Sequence, residues 1–192
     1  MSIQNFIDNF EGGTRKNRFR VRMTTGPSYV TSNIDDFHIE SAALPTSIIT
    51  TNPIDYQGRR ILYPGDRIYS GDGFNVWTMR VLDDLNNPAS PEMHRNLWEG
   101  LHAWSDSIND HVTNTGNALE FGTIVVEQLN LNAKDSSPTN PDGEEGGVLK
   151  IATLVDCWPQ SISTIDFEMQ ARDQYNYFDV TFCFKYVIYT GS

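Results

Sequence analysis

The segment YFDVTFCFKYVIY, residues 177–189, alternates apolar and polar side chains along most of its length. Its even-numbered positions are all apolar: Phe178, Val180, Phe182, Phe184, Tyr186 and Ile188. The opposite face carries Asp179, Thr181 and Lys185. A period of two residues places alternate side chains on opposite faces of a β-strand. The segment therefore predicts one strand with one apolar face.

The same period recurs in other segments, separated by the turn-forming residues Gly, Pro, Asn and Asp. They are NRFRVRM (17–23), FHIESAA (37–43), FNVWTMRVL (74–82), EFGTIVVEQLNLN (120–132), VLKIATLVDCW (148–158) and STIDFEM (163–169). Six or more such strands indicate a mainly β fold, an antiparallel sandwich or barrel. The length of 192 residues predicts one domain, residues 1–192.

One segment has helical spacing instead. In SPEMHRNLWEGLHAWSDSIN, residues 90–109, apolar side chains recur every three or four positions: Met93, Leu97, Leu101, Trp104 and Ile108. Ser90 suits the N-cap and Pro91 the first helical position. The pattern predicts one amphipathic helix packed on the β-structure. Histidines on or near it lack the i, i+4 pairing of a helical metal site, so we expect them to be surface residues.

A basic cluster stands out in a chain whose formal net charge is −11. Five of the 14 Lys and Arg residues lie within eight positions: Arg15, Lys16, Arg18, Arg20 and Arg22. The alternation of NRFRVRM puts Arg18, Arg20 and Arg22 on one face of a strand. Proteins that coat nucleic acid carry a broad basic surface, which this acidic chain lacks. The charge therefore argues against a protein that wraps DNA.

The motifs of the common enzyme classes are absent from the sequence, and no cofactor or metal site is expected. Cys157 and Cys183 lie far apart without a C-x-x-C spacing, which predicts two free thiols within strands. No apolar run is long enough for a transmembrane helix, and the N-terminus lacks the pattern of a signal peptide. We expect a soluble, non-enzymatic protein made in a reducing cytoplasm.

Two stretches lack a sustained period. Residues 133–147, AKDSSPTNPDGEEGG, are polar and rich in Pro and Gly, which predicts an exposed loop. Residues 44–74, here called the arm, contain many large apolar side chains: Ile48, Ile49, Ile54, Tyr56, Ile61, Leu62, Tyr63, Ile68 and Tyr69. A long apolar excursion needs a partner surface. We therefore expect the arm to pack against another molecule.

Several segments together resemble a known family. They are GGTRKNRFRVRM (12–23), FHIESAALPTSII (37–49), YQGRRILYPGDRIY (56–69), WTMRVLDD (77–84), MHRNLWEGLHAW (93–104) and WPQSISTIDFEMQARDQYNYFDVTFCFKY (158–186). In this order they resemble the tail tube proteins of contractile-tailed bacteriophages, relatives of the haemolysin-coregulated tube protein of type VI secretion. The sequence departs from the family in SGDGFN (70–75), in Thr50-Thr51-Asn52 and in the long loop 133–147.

The resemblance implies a β-barrel protomer with a helix on its rim and an intersubunit arm at 44–74. Such protomers form hexameric rings that stack into a hollow tube inside a contractile sheath, and the tube conducts the genome during DNA ejection into the host. The implied partners are further copies of the chain, the sheath protein, baseplate and tail-terminator proteins, and genomic DNA passing without tight binding. The implied location is the virion, after assembly in the host cytoplasm.

The resemblance also implies roles for particular residues. The implied intersubunit contacts are Arg15, Lys16, Arg18, Tyr56, Arg59, Arg60, Asp66 and Arg67. The implied lumen carboxylates are Asp166, Glu168 and Asp179. Carboxylates lining the lumen would repel phosphate and so keep the genome from sticking.

Two other functions remain open from the sequence. One is a type VI-like secreted ring that carries effectors and shares the fold. The other is a monomeric β-sandwich in which the apolar arm binds a peptide or small ligand.

Overall fold

A computed structural model describes residues 18–31, 39–69, 75–83, 97–110, 112–113, 115, 120–129, 148–165, 167 and 175–191. Its strands are β1 (Phe19–Thr25), β2 (Ile39–Ala42), β3 (Ile48–Tyr56), β4 (Arg59–Ile68), β5 (Val76–Leu82), β6 (Gly122–Leu129), β7 (Val148–Ile162), β8 (Tyr177–Cys183) and β9 (Tyr186–Gly191). Its helices are α1 (Ser28–Thr31) and α2 (Leu97–Ile108). The predicted loop 133–147 lies outside the described residues.

Two antiparallel sheets share the long strand β7. The first half of β7 pairs with β6 and β9, which gives the first sheet the order β1-β6-β7-β9. The second half pairs with β8, which gives the second sheet the order β7-β8-β5-β2. β1 and β2 are outer strands and do not pair with each other in the described part of the chain. The mainly β, antiparallel prediction is confirmed, as a sandwich that is not closed into a barrel.

β7 passes between the sheets at a corner. Asp156 has a left-handed φ of 55°, and the facing chain breaks between β8 and β9 at Phe184 and Lys185. The Lys185 N–H still donates to the Val155 carbonyl at 2.9 Å. At this break the alternation of buried and exposed side chains shifts by one residue, because Phe184 and Lys185 lie outside both strands.

The predicted single strand at 177–189 is therefore two strands. Phe178, Val180, Phe182 and Phe184 are buried as expected. Beyond the corner the expectation is wrong. Val187 is buried, whereas Tyr186 and Ile188 are 42% and 48% exposed.

The core lies between the sheets and receives one side of α2. Leu97, Leu101 and Trp104 are buried there, and Ile108 packs on the core while partly exposed, which confirms the amphipathic helix over the described residues. The predicted start of the helix, with Ser90, Pro91 and Met93, lies outside the described residues. Trp104 packs against Phe182 with ring centroids 6.0 Å apart.

The strand predicted at 163–169 does not form in its described residues, 163–165 and 167, which are irregular. Instead β7 runs on to Ile162. The hydroxyl of Ser163 accepts the Asp179 N–H at 2.8 Å, and its own N–H donates to the Asp179 carbonyl at 2.8 Å. A serine hydroxyl that accepts a backbone N–H competes with the backbone hydrogen bonds of a sheet, which explains why the strand ends here.

β3 and β4 form a separate two-stranded hairpin within the arm. Gln57 and Gly58 make its turn with φ of 49° and 72°, the pair of left-handed residues that matches the twist of two strands. The expectation of an arm without a strand period is therefore wrong. The period was hidden because both faces of the hairpin carry apolar side chains.

Candidate assembly surface

The hairpin exposes most of its large apolar side chains. The exposed fractions run from 43% to 62%. The residues are Ile48, Ile49, Ile54, Tyr56, Ile61, Leu62 and Tyr63. An isolated hairpin is marginally stable in water, and so many exposed large apolar side chains on one hairpin indicate an interaction site.

The irregular segment that leads into the hairpin is held by two side chains of the sandwich. The Trp77 indole N–H donates to the Ala43 carbonyl at 2.5 Å, and the Tyr189 hydroxyl donates to the Pro45 carbonyl at 3.1 Å. Burial raises the pKa of Tyr189, which further favours the protonated phenol that donates this bond. These bonds fix where the hairpin leaves the sandwich.

The returning strand is fixed through Tyr69. Its ring packs edge-on against Phe184 at 5.6 Å, and its carbonyl accepts the Thr46 hydroxyl at 3.0 Å. Arg67 donates to the Ser47 hydroxyl at 3.0 Å across the base of the hairpin. The hairpin is thus anchored at both roots, and the sandwich sets its direction. Tyr189, which supplies one anchor, was not foreseen from the sequence.

The five predicted contact residues on the hairpin all have exposed side chains: Tyr56, Arg59, Arg60, Asp66 and Arg67. Arg60 lies 3.3 Å from Asp55 in an exposed ion pair. Such pairs are worth about 0 to 1 kcal/mol. The charged side chains therefore suit a role in orienting a contact better than one in stabilising the hairpin itself.

The basic cluster has an internal partner that the sequence analysis missed. Arg20 and Arg22 both bind the carboxylate of Glu127, whose side chain is only 3% exposed. The Arg20 contact measures 2.6 Å. β1 pairs with β6 so that Arg20 faces Glu127 directly. Two of the five cations are therefore engaged within the protomer. Arg15 and Lys16 lie outside the described residues.

Replacing Glu127 with Gln is expected to lower the free energy of unfolding by about 1–3 kcal/mol, because two arginines lose their buried counter-ion. The matched control is Glu40→Gln, which removes the exposed carboxylate paired with Arg80 at 3.0 Å. That change should cost about 0 to 1 kcal/mol. Urea titrations of both variants give the comparison. Equal losses would show that the buried cluster contributes nothing special to stability.

Arg18, the third arginine of the predicted face, borders the gap between β1 and β2. A cavity of about 800 Å³ lies there, lined on one side by Phe19 and Val126 and on the other by Ile39 and Leu44. The side-chain oxygen of Gln128 is buried in this region without a hydrogen-bond partner. The sandwich is open at this gap, because β1 and β2 do not pair with each other in the described part of the chain.

Of the three predicted lumen carboxylates, the structure describes Asp179; Asp166 and Glu168 lie outside the described residues. Asp179 is exposed on β8 and faces Arg80 of β5 in the ladder. The same outer face holds Thr78 and Thr181, whose hydroxyls are 2.9 Å apart. The outer face of the second sheet is therefore polar at its centre.

Within the described residues, the side chains that could bind a metal or act as a nucleophile do not cluster into a site. Over the ranges that the structure describes, no group of three or more His, Cys, Asp or Glu side chains could hold a metal ion. Cys157 and Cys183 are free, and burial raises the pKa of the Cys157 thiol to about 12. The His102 ring lies against Trp98 at 4.2 Å. None of the helices in the described part has the length and apolar character needed to cross a membrane.

The fold of this chain also occurs in solved structures. It matches a chain from the sheath-tube complex of an extracellular contractile injection system, in the extended state, with a TM-score of 0.61 at 16% identity over 100% of this chain and 99% of that one. It also matches a chain from the tube-terminating cap of the anti-feeding prophage, with a TM-score of 0.59 at 15% identity over 100% of both chains. At these identities the likeness establishes the fold alone.

The sequence comparisons go further than the fold. The chain is 25% identical to the tail tube protein gp19 of Enterobacteria phage T6, covering 94% of this chain and 98% of that protein. It is 24% identical to a tail tube protein of Serratia phage KSP90, covering 87% and 83%. The family model described as phage tail tube protein matches residues 14–190. The chain belongs to the phage tail tube protein family and is a structural protomer of the virion's tail tube.

Proposed function

We propose that the protomers form hexameric rings, that the rings stack into a hollow tube, and that the arm at 44–74 joins neighbouring protomers. The observation that carries the proposal is the hairpin, which presents seven half-exposed apolar side chains and is anchored at both roots. In a single protomer these side chains would stay in water. In a tube, neighbouring copies of the chain would lie beside each hairpin and could cover these side chains.

The sheet edges support the same arrangement. Among the described strands, β1 and β9 form the two edges of the first sheet, and β2 forms an edge of the second. Exposed edges offer unpaired backbone groups, and joining the strands of adjacent protomers into one continuous barrel removes them. The unpaired Gln128 oxygen beside the gap between β1 and β2 is a further polar atom that such a neighbour would cover.

The proposed partners follow from proteins with the same fold. Solved structures of similar chains come from a sheath-tube complex, a sheath/tube terminator and a baseplate. We infer that this tube is likewise surrounded by a contractile sheath and bounded by baseplate and terminator proteins. The role is structural rather than enzymatic, in keeping with a family defined by tube building. A type VI-like secreted ring is the alternative, and the match to phage tail tube proteins favours the virion.

The tube is proposed to conduct genomic DNA without holding it. We expect affinity for duplex DNA to be weaker than micromolar at about 150 mM salt. The net charge of −11 repels the phosphates of the DNA. A Debye length of about 8 Å also limits the distance over which the basic cluster attracts DNA. Glu127 also engages Arg20 and Arg22. Fluorescence anisotropy with labelled duplexes gives the measurement. Submicromolar binding would instead show that the cluster is a nucleic-acid site.

Sedimentation of the purified protein tests the proposed assembly. The expected result is rings or tubes, either spontaneously or after seeding with a baseplate-like template. A protein that stays monomeric at high concentration with every template would favour the monomeric binding module.

A further inference from the structure

The hairpin contains a β-bulge in its returning strand, β4. Thr50 of β3 lies opposite two residues of β4, Gly65 and Asp66, because the ladder advances by two positions on β3 and by three on β4 between the flanking pairs. Those pairs are Ile49 with Arg67 and Thr51 with Pro64. A bulge bends the strand that carries it and shifts the alternation of its side chains by one residue.

The bulge decides which way each side of the outer hairpin, residues 51–64, faces. In an unbroken strand Arg67 would lie on the same side as Ile61, because side chains alternate along a strand. The extra residue places Arg67 on the side of Leu62 instead. Arg67 is held at the root of the hairpin by its hydrogen bond to Ser47. The orientation of the outer hairpin relative to the sandwich therefore depends on the bulge.

The apolar pattern of the outer hairpin does not specify this orientation by itself. Ile61 is 43% exposed on one side, and Leu62 is 61% exposed on the other. A slip of one residue would exchange these two apolar side chains, so the register of such a ladder is only weakly specified. The anchors at Pro45 and Tyr69 do not specify it either, because they lie on the sandwich side of the bulge. The bulge therefore needs a contact of its own.

Thr50 and Gly65 form that contact. The Thr50 hydroxyl donates to the Asp66 carbonyl at 3.0 Å, which binds the bulge to the opposite strand. A Cβ built on Gly65 would lie 2.5 Å from the Thr50 side-chain oxygen, closer than real Cβ atoms approach. Both residues are half-buried, although most of the hairpin around them is exposed. The backbone of β4 can approach Thr50 this closely only because Gly65 has no side chain.

We propose that Thr50 and Gly65 are positioning residues for assembly. Their contact holds the bulge, and the bulge sets the direction in which the outer hairpin presents its apolar side chains. The inference rests on the proposed function of the arm. It adds that assembly depends on a contact inside the hairpin as well as on the exposed surface of the hairpin.

A double-mutant cycle at the contact provides the test. Gly65→Ala places a methyl group against the Thr50 hydroxyl, and Thr50→Ala removes that hydroxyl, so the double variant has room for the methyl group. Thr50→Ser keeps the hydroxyl and its bond to Asp66. The matched control is Thr51→Ala, which truncates an exposed threonine on the opposite side of β3.

Two quantities are measured for each variant. Sedimentation gives the protein concentration at which half of the chains are in tubes, with the same template throughout. Thermal melting of the free protomer reports the stability of the sandwich. The melting temperature should not change in any variant, because the hairpin contributes no buried residue to the described core.

Gly65→Ala should raise the half-assembly concentration by at least about tenfold, and adding Thr50→Ala should recover most of that loss, as expected for residues in direct contact. Thr50→Ala alone should raise the concentration by about fivefold, because the bulge loses one hydrogen bond. Thr50→Ser and Thr51→Ala should stay within about twofold of the unsubstituted protein.

Four outcomes would overturn the inference. Normal assembly of Gly65→Ala would show that the bulge does not position the hairpin, while the function of the arm, which replacing the whole hairpin tests separately, would stand. A loss that Thr50→Ala does not recover, or an equal loss in Thr51→Ala, would show that this contact is not the cause. A lower melting temperature for Gly65→Ala would assign the contact to the stability of the sandwich. Failure of the unsubstituted protein to assemble with every template would refute the proposed function and this inference together.

Discussion

Replacing the hairpin, Ile48–Ile68, with a short Gly/Ser linker is expected to leave a folded protomer that no longer forms tubes. The strand ends are neighbours, because Ile48 pairs with Ile68, so a short linker can close the gap. The hairpin contributes no buried residue to the described core, whereas Tyr69 packs on Phe184 and is therefore kept.

The size of the effect follows from the apolar area. Covering the exposed part of seven large side chains would contribute on the order of 5–10 kcal/mol to assembly. The exposed ion pair of Arg60 would contribute about 0 to 1 kcal/mol. Arg60→Ala is therefore the matched control and should assemble almost normally. Circular dichroism and thermal melting report folding, and sedimentation reports assembly.

Two outcomes would contradict this expectation. Long tubes formed by the hairpin-replaced protein would show that assembly does not need the hairpin. An unfolded hairpin-replaced protein would show that the protomer needs the hairpin to fold, which the exposure of the hairpin side chains argues against.

Trp104→Ala is expected to destabilise the protomer by about 3–5 kcal/mol, the range for truncating a buried aromatic side chain. The Trp104 side chain is fully buried, packs on Phe182 and donates to the Glu120 carbonyl at 2.8 Å. A Cβ built on Gly122 would lie 2.8 Å from its ring, which shows how closely the strand approaches. The truncation would leave a cavity and an unpaired carbonyl.

Trp98→Ala is the control, because Trp98 lies on the same helix and is only partly buried. Thermal and urea unfolding of both variants should give a loss for Trp104→Ala at least twice that for Trp98→Ala. Similar losses would mean that the partly buried Trp98 contributes as much to stability as the fully buried Trp104, which would contradict the expectation.

The strands could be predicted from the sequence where one face is buried and the other polar. Val180 and Thr181 show this clearly, since one is in the core and the other on the polar outer face. The corner at Asp156 could not be predicted, because a positive φ at a non-glycine residue leaves little trace in a pattern of hydrophobicity. The shift of phase after Phe184 follows from that corner and was missed with it.

The assembly surface could be predicted in part. The apolar excess of the arm indicated a partner surface, but its hairpin was hidden because side chains such as Ile61 and Leu62 are apolar on both faces. Glu127 was missed because a single carboxylate in an apolar strand does not reveal what it pairs with. The one available signal was that Glu127 lies in a strand that could pair with the strand carrying Arg20 and Arg22.

The most direct test of the tube assignment is electron microscopy of the purified protein, alone and seeded with a baseplate-like template. We expect stacked rings with six-fold symmetry around an open channel. Monomers under every condition, or filaments without a channel, would contradict it.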